Sequence, residues 1–490
     1  MPKKVHATDD LFTLIKSLSK AEKRYFKIQA NAENSSQKNY MLLFDVLCDL
    51  EHYNENEVKQ LLKGKMQTTN FHVIKKYLFD NIVKALANFH AEETIDIKIR
   101  QMIINIFVLN KKGLFEISRK KILELEKFAA KHQKLTVLNE TYSLLKNNII
   151  DTVHKNYTKA DIENITYNER KTLEQIANLK EYRTLLLKIF ILHMELYAKG
   201  KEQIKQEVLE VSKHPLLQDE GLALSTDAKV LFHNINGYIH KEIGDFQKCK
   251  NHFKSYLKLL EQKPLLMKNQ KVNYIVGLYN YAIILRELKH YDEMYQVLQK
   301  AKNIPSKSDV NELRQFRNYY QLVLACYNDT GKYRLSLALE PEIEAGFKKF
   351  GTKLDLVYTA HIKYYLAFAY YGDKQYSKAI KILNEINNEP HQEPLNDLLA
   401  YTKMLLWICH YESNNTEVLD YLRNSMHRYI SKKYPKNSVE MTFVEYTKKP
   451  ELLNDKKYIS LFKKAVKDVV KLHNKKSEFL DIEWWLKKLF

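Results

Sequence analysis

Glycine and proline are scarce in this chain of 490 residues, at 11 and 9, against average usage of roughly 7% and 5%. Tight hairpins depend on those two residues, so an all-β architecture is excluded. Cysteine is nearly absent as well. Cys48, Cys249, Cys326 and Cys409 lie far apart and form no CxxC pair, which excludes a zinc ribbon or a dithiol redox motif. Each sits in an apolar helical pattern, where a reduced, buried thiol is expected. Long apolar runs are missing too. The most apolar stretch, "LLLKIFILHM" from Leu185, carries Lys188 and His193 and is too short to span a bilayer. The opening "MPKKVHATDD" lacks the apolar segment of a signal peptide. The expectation is a cytoplasmic protein with no membrane insertion.

Catalytic signatures are missing in the same way. There is no GxxxxGK[ST], no GxGxxG after a strand, no HExxH and no GxSxG. Nothing nominates a nucleophile or a positioned base, so neither an enzyme nor a cofactor is expected. His233 and His240 lie seven apart and can share a helix face. Without converging Cys, Asp or Glu they read as packing or surface residues, and no metal is expected. Arginine is also scarce. The net charge of +20 and pI near 9.3 come almost entirely from lysine. Such a field can attract nucleic acid or an acidic partner. Arginine is the fork preferred at phosphate sites, so dispersed lysine reads first as solvated surface.

Aromatics are abundant, with 33 tyrosines and 21 phenylalanines. Tyr364 to Ile386 reads "YYLAFAYYGDKQYSKAIKILNEI". Leu366, Ala367 and Tyr370 share one helical face. After a break at Gly372–Lys374, Ala379, Leu383 and Ile386 share another. The figure recurs from Leu231 to Leu260 (Gly237, Gly244, Phe246), from Val276 to Ile304 (Ala282, Tyr291, Ala301) and from Asn318 (Gly331, Tyr333). The aromatics at 246, 291, 333 and 376 are 45, 42 and 43 residues apart, a period that signals a helical repeat array. Weaker copies carry Gly113 and Phe115, and Asn414–Asn415. Pro215, Pro264, Pro305 and Pro390 follow several units as stops. Pro341 predicts a kink or an early stop inside a second helix.

The small residue in the first helix, the turn glycine (Gly244, Gly331), the aromatic two residues later and the small or apolar residues of the second helix (Ala379, Leu383) resemble the tetratricopeptide repeat superfamily. The resemblance is most specific over 231–386. It implies an all-α fold, a right-handed superhelical α-solenoid of antiparallel helix pairs, with repeats of about 40–45 residues. The array is placed at 96–430, after a helical N-terminal region (1–95) and before a basic helical cap (431–490). Trp484, Trp485, Leu489 and Phe490 read as the cap's apolar seal, the rival reading being a docking tail.

The same resemblance implies a peptide groove on the first helices. It carries over to Asn234, Tyr238 and Lys241, then Tyr279, Ile283 and Arg286. Asn318, Gln321 and Asn328 follow, then His361, Tyr364, Phe368 and Tyr371. Flat aromatics and amides suit an extended peptide or a protein helix, although packing between repeats accounts for such residues equally well. A carboxylate clamp is not expected. Asn280 fits one clamp position, but Asn318 and Leu322 stand where cations are needed. The function expected is a non-enzymatic protein- or peptide-binding scaffold.

The alternative is a nucleic-acid-linked regulator. Asp9 or Asp10 caps a first helix to Leu18, and Ser19 to Glu22 is a capping box opening a helix through Ile28. Residues 30–39 read as a loop. Residues 55–90 then read as a helix-turn-helix-like hairpin. Thr68, Thr69, Asn70 and His72 would begin its second helix, with Lys75 and Lys76 near phosphates and Lys16, Lys20, Lys23 and Lys27 as a basic strip. The apolar set Phe71, Ile74, Leu78 and Val83 suits a plain packed hairpin equally well.

Overall fold

The structure, a computed structural model, describes residues 10–32, 38–65, 70–90, 95–152, 157–199, 201–306, 308–390, 395–473 and 479–489. Asp9, Thr68, Thr69 and Phe490, singled out above, lie outside them. Among the described residues there is no strand. The chain divides into two compact units, Met1–Ile176 and Ala177–Phe490.

The first unit holds α1 (Asp10–Ser17), α2 (Lys20–Ala32), α3 (Lys38–Asp49), α4 (Glu55–Leu62) and α5 (Phe71–Phe89) around one core. A second core lies between α6 (Ile95–Lys111), α7 (Phe115–Lys131) and α8 (Leu135–Asp151). The capping box forms as expected. Ser19 N–H donates to Glu22 Oε2 at 2.7 Å, and Glu22 N–H donates to Ser19 Oγ at 3.3 Å. The helix it opens runs past Ile28 to Ala32, and Lys38 already begins α3. Residues 30–32 and 38–39 of the stretch expected as a loop are therefore helical, and 33–37 lie outside the described residues. In α5, Phe71 and Leu78 are buried, but Ile82 takes the core position expected of Val83, which is exposed.

α9 (Lys159–Lys199) contains the boundary between the units. The second unit continues with α10 (Lys201–Ser212), α11 (Thr226–Ile243), α12 (Phe246–Glu261), α13 (Pro264–Asn269), α14 (Lys271–Glu287) and α15 (Tyr291–Lys302). Next come α16 (Asp309–Asp329), α17 (Tyr333–Leu337), α18 (Glu340–Phe350), α19 (Leu356–Gly372) and α20 (Tyr376–Asn387). The remaining helices are α21 (Asn396–Glu412), α22 (Leu419–Lys433), α23 (Val439–Tyr446), α24 (Lys456–His473) and α25 (Ile482–Lys488). Successive helices pack as pairs, α11 on α12, α14 on α15 and α19 on α20, and the first helices α14, α16, α19 and α21 also meet in turn. Pro341 breaks the second helix of its pair into α17 and α18. Its ring removes a donor and clashes with the preceding turn.

The pairs share one turn. Gly244, Lys289, Gly331, Lys374 and Asn414 all have positive φ, from 58° to 85°. In each case the next residue's N–H reaches back five residues. Asp245 donates to His240 O, His290 to Leu285 O, Lys332 to Tyr327 O, Gln375 to Tyr370 O and Asn415 to His410 O, at 2.8–2.9 Å. This is the Schellman closure, which satisfies carbonyls that a helix end leaves open. The left-handed residue after α19 is thus Lys374. Gly372 does a different job, because a Cβ there would stand 2.5 Å from the Tyr333 ring. Gly277 likewise admits Tyr256, with a Cβ contact of 2.3 Å. Aromatics of one pair key into small residues of the next, each buried ring contributing about 1.5–3 kcal/mol.

Candidate functional site

Tyrosine recurs in these helices because a buried ring can still satisfy its hydroxyl at the rim. Tyr274 donates to Glu261 at 2.6 Å, Tyr281 to Glu293 at 2.5 Å, Tyr320 to Glu342 at 2.6 Å and Tyr401 to Glu440 at 2.6 Å. The Tyr320 phenol and Lys302 hold the Glu342 carboxyl below its ordinary range. A shallow cavity of about 320 Å³ opens beside this set, lined by Tyr279, Phe316, Tyr319 and Tyr320.

The first helices are tied to one another by a polar ladder. Asn280 Nδ2 donates to the Tyr238 hydroxyl at 2.7 Å, and the Tyr279 hydroxyl donates to Gln315 O at 3.3 Å. Arg286 forks onto Asp329, at 2.7 and 3.1 Å, and its third nitrogen donates to Tyr365 Oη at 3.2 Å. Gln321 Nε2 lies 3.1 Å from His361 Nδ1, and Asn328 Nδ2 donates to Tyr365 O at 2.8 Å. Several residues expected to line an open groove are therefore spent between helices. Tyr279, Tyr364, Tyr371 and Asn328 are buried. Burial pushes the Tyr279 and Tyr364 phenols well up. Asn234, Lys241, Ile283 and Asn318 stay half-exposed.

At α19 and α21 the expected groove residues do come together, and the chain's own C-terminal segment fills the space they line. The Tyr364 hydroxyl donates to the main-chain carbonyl of Phe479 at 3.3 Å. The Phe479 ring packs against His361, Tyr364 and Tyr401, with centroids 5.2–5.7 Å apart. Trp484 lies against Phe368 at 5.9 Å, and Lys488 sits 4.9 Å over the Tyr371 ring. Trp485, fully buried, meets Trp407 and Phe443 at 6.4 and 5.6 Å. Asp481 caps α25 by accepting from Trp484 N–H at 3.0 Å. Trp484 and Trp485 thus pack against the chain's own helices, as an apolar seal would.

Glu412 anchors this seat, and sequence reading missed it. It accepts from Tyr371 Oη at 2.6 Å, Tyr376 Oη at 3.0 Å and Trp485 Nε1 at 2.9 Å. Burial and this carboxylate push the Tyr371 phenol far up. Burial also pushes the His361 imidazole down to about 4, so a neutral ring faces Phe479. A signal for Glu412 was present. Glu242, Glu287, Asp329 and Glu412 each stand two residues before a left-handed turn residue. An acid there opposes the helix dipole and calls for a dedicated donor. Glu242 has His193 at 3.1 Å and Asp329 has Arg286.

His233 and His240 do share a face, and both meet His252. The His233 and His252 Nδ1 atoms lie 3.1 Å apart, and His240 stacks on His252 at 5.4 Å. Burial and the neighbouring imidazoles push His252 down to about 4. Among the described residues no group of three or more His, Cys, Asp or Glu is placed to hold a metal ion. Nor is any helix among them long and apolar enough to cross a membrane.

Three of the six N-terminal candidate lysines are committed to their own unit. Lys16 donates to Cys48 O at 2.7 Å, Lys27 pairs with Asp45 at 2.7 Å, and Lys75 donates to Tyr53 Oη at 2.9 Å beside Glu55. Lys20, Asn70, His72 and Lys76 are exposed, and Lys23 is half-buried. Compared with known proteins, the chain matches no protein-family model, no curated protein and no solved structure.

Proposed function

We propose that the chain is a non-enzymatic scaffold of the tetratricopeptide-like kind, whose first-helix face holds a peptide or helix of a partner protein in the cytoplasm. The observation that carries this reading is the seat of the C-terminal segment. One hydroxyl takes a main-chain carbonyl, one carboxylate takes an indole N–H, and uncharged rings supply the walls. Main-chain recognition with aromatic pockets is a peptide-binding chemistry. The half-exposed Asn234, Lys241 and Asn318 continue along the earlier first helices, and they are where a second chain would add contacts.

The test is a tagged full-length protein beside its Asn234→Ala, Lys241→Ala, Asn318→Ala variant, both taken through native extract after nuclease treatment. A protein captured by the first and lost by the second supports the reading. A protein held equally by both, or none captured at all, overturns it.

A further inference from the structure

The helix α24 (Lys456–His473) shows two opposed faces. Ile459, Phe462 and Val466 are buried and join the core of the second unit. At 100° per residue, Lys456, Lys457, Lys463, Lys464, Lys467 and Lys471 fall on the other side within an arc of about 120°. At 1.5 Å per residue they run along about 22 Å of helix. All are exposed except half-exposed Lys463, and the only acid on the helix, Asp468, lies at the edge of the arc.

Four lysines elsewhere in this unit have carboxylate partners across the helix packing. Lys250 pairs with Glu293 at 2.8 Å, Lys300 with Glu261 at 2.8 Å, Lys302 with Glu342 at 3.1 Å and Lys349 with Glu312 at 2.6 Å. On α24, none of Lys457, Lys463, Lys464, Lys467 and Lys471 makes an ion pair or side-chain hydrogen bond among the described residues. The helix spaces their attachment points regularly along one face.

We propose that this lysine face binds the phosphate backbone of a nucleic-acid duplex without reading its sequence. A run of ammonium groups fixed along one helix complements a regular line of phosphates. The arc carries no Arg, Asn or Gln to read base edges. It carries no aromatic on which unpaired bases could stack. An anionic membrane fits less well. A helix lying in a bilayer surface needs its apolar face free, and here Ile459, Phe462 and Val466 are inside the protein, with Leu461 the one exposed large hydrophobic among the described side chains of α24. The proposal is independent of the scaffold reading, because the lysine arc and the C-terminal seat use different residues.

The experiment measures anisotropy of a labelled mixed-sequence duplex of about 20 base pairs with the full-length protein, between about 50 and 200 mM salt. Lys457→Glu, Lys464→Glu, Lys467→Glu is compared with the native chain and with the matching Lys→Arg triple. The native protein and the Arg triple are expected to bind with steep salt dependence. The Glu triple is expected to bind at least about tenfold more weakly, with a flatter salt slope. Unchanged tryptophan emission in the Glu triple checks that the fold is intact. Three results overturn the proposal: no duplex binding at low salt, equal binding by the Glu triple, or loss instead in a Lys20→Glu, Lys23→Glu, Lys76→Glu variant. Phosphatidylglycerol vesicles that bind the native chain while the duplex does not overturn it as well.

Discussion

Replacing Glu412 by Ala isolates the energetics of the C-terminal seat. The substitution strands three donors, the hydroxyls of Tyr371 and Tyr376 and the indole N–H of Trp485. Tyr371 and Trp485 are almost fully buried, so water is a poor substitute for them. Each abandoned buried donor costs about 1–3 kcal/mol. Glu412 itself is only half-buried, which lets water in part-way and favours the lower half of that range. The total is about 3–6 kcal/mol. With a urea slope of about 3 kcal/mol per molar, the midpoint should fall by about 1 M or more. The assay is built in, because the protein has three tryptophans: Trp484 and Trp485 belong to the segment and Trp407 touches it. Their emission reads the seat, while far-UV circular dichroism reads all the helices. The expected result is a red shift that precedes loss of helix. Glu412→Gln, which keeps one acceptor oxygen, should fall between, and exposed Glu417→Ala should do nothing. Coincident, unshifted transitions in Glu412→Ala would refute the reasoning.

Three other outcomes follow from single positions. Gly346→Ala puts a Cβ 1.9 Å from the Phe316 ring, so urea unfolding should show a loss of about 1–3 kcal/mol, relieved by adding Phe316→Leu. Lys374→Gly removes a side chain from a left-handed turn residue at φ 63° and should raise stability in urea unfolding by about 0.5–1 kcal/mol. His361 is held near 4 by burial, below its ordinary 6.5. The unfolded chain therefore binds the proton first, and His361's contribution is complete above about pH 6.5 and falls away as pH drops toward 4. His252 acts in the same direction over the same window. Urea midpoints measured across that window should flatten in His361→Gln.

Much of the helical order was legible because it is local. A 3.6-residue rhythm of Leu, Ala and Tyr states which side of a helix is buried, as Leu366, Ala367, Tyr370, Ala379, Leu383 and Ile386 all are. The post-turn aromatics at 246, 291, 333 and 376 each open a helix, because the chain reverses through the same left-handed closure. Lys289 and Lys374 hid that closure by standing where glycine was sought. The site was less legible. Periodicity says that Tyr364 and Tyr371 are inward, but not whether inward means a groove or a neighbour. Tyr364 meets Phe479 across 115 residues and Glu412 meets Trp485 across 73, and no local pattern carries such pairings. The sequence by itself determined the helices, their turns and which faces are apolar, since each depends on residues within a turn or two. Only the tertiary structure decided that the aromatic face of α19 and α21 holds the chain's own C-terminal segment. It also decided that Lys457, Lys463, Lys464, Lys467 and Lys471 make no ion pair among the described residues, since both depend on which distant helices arrive as neighbours.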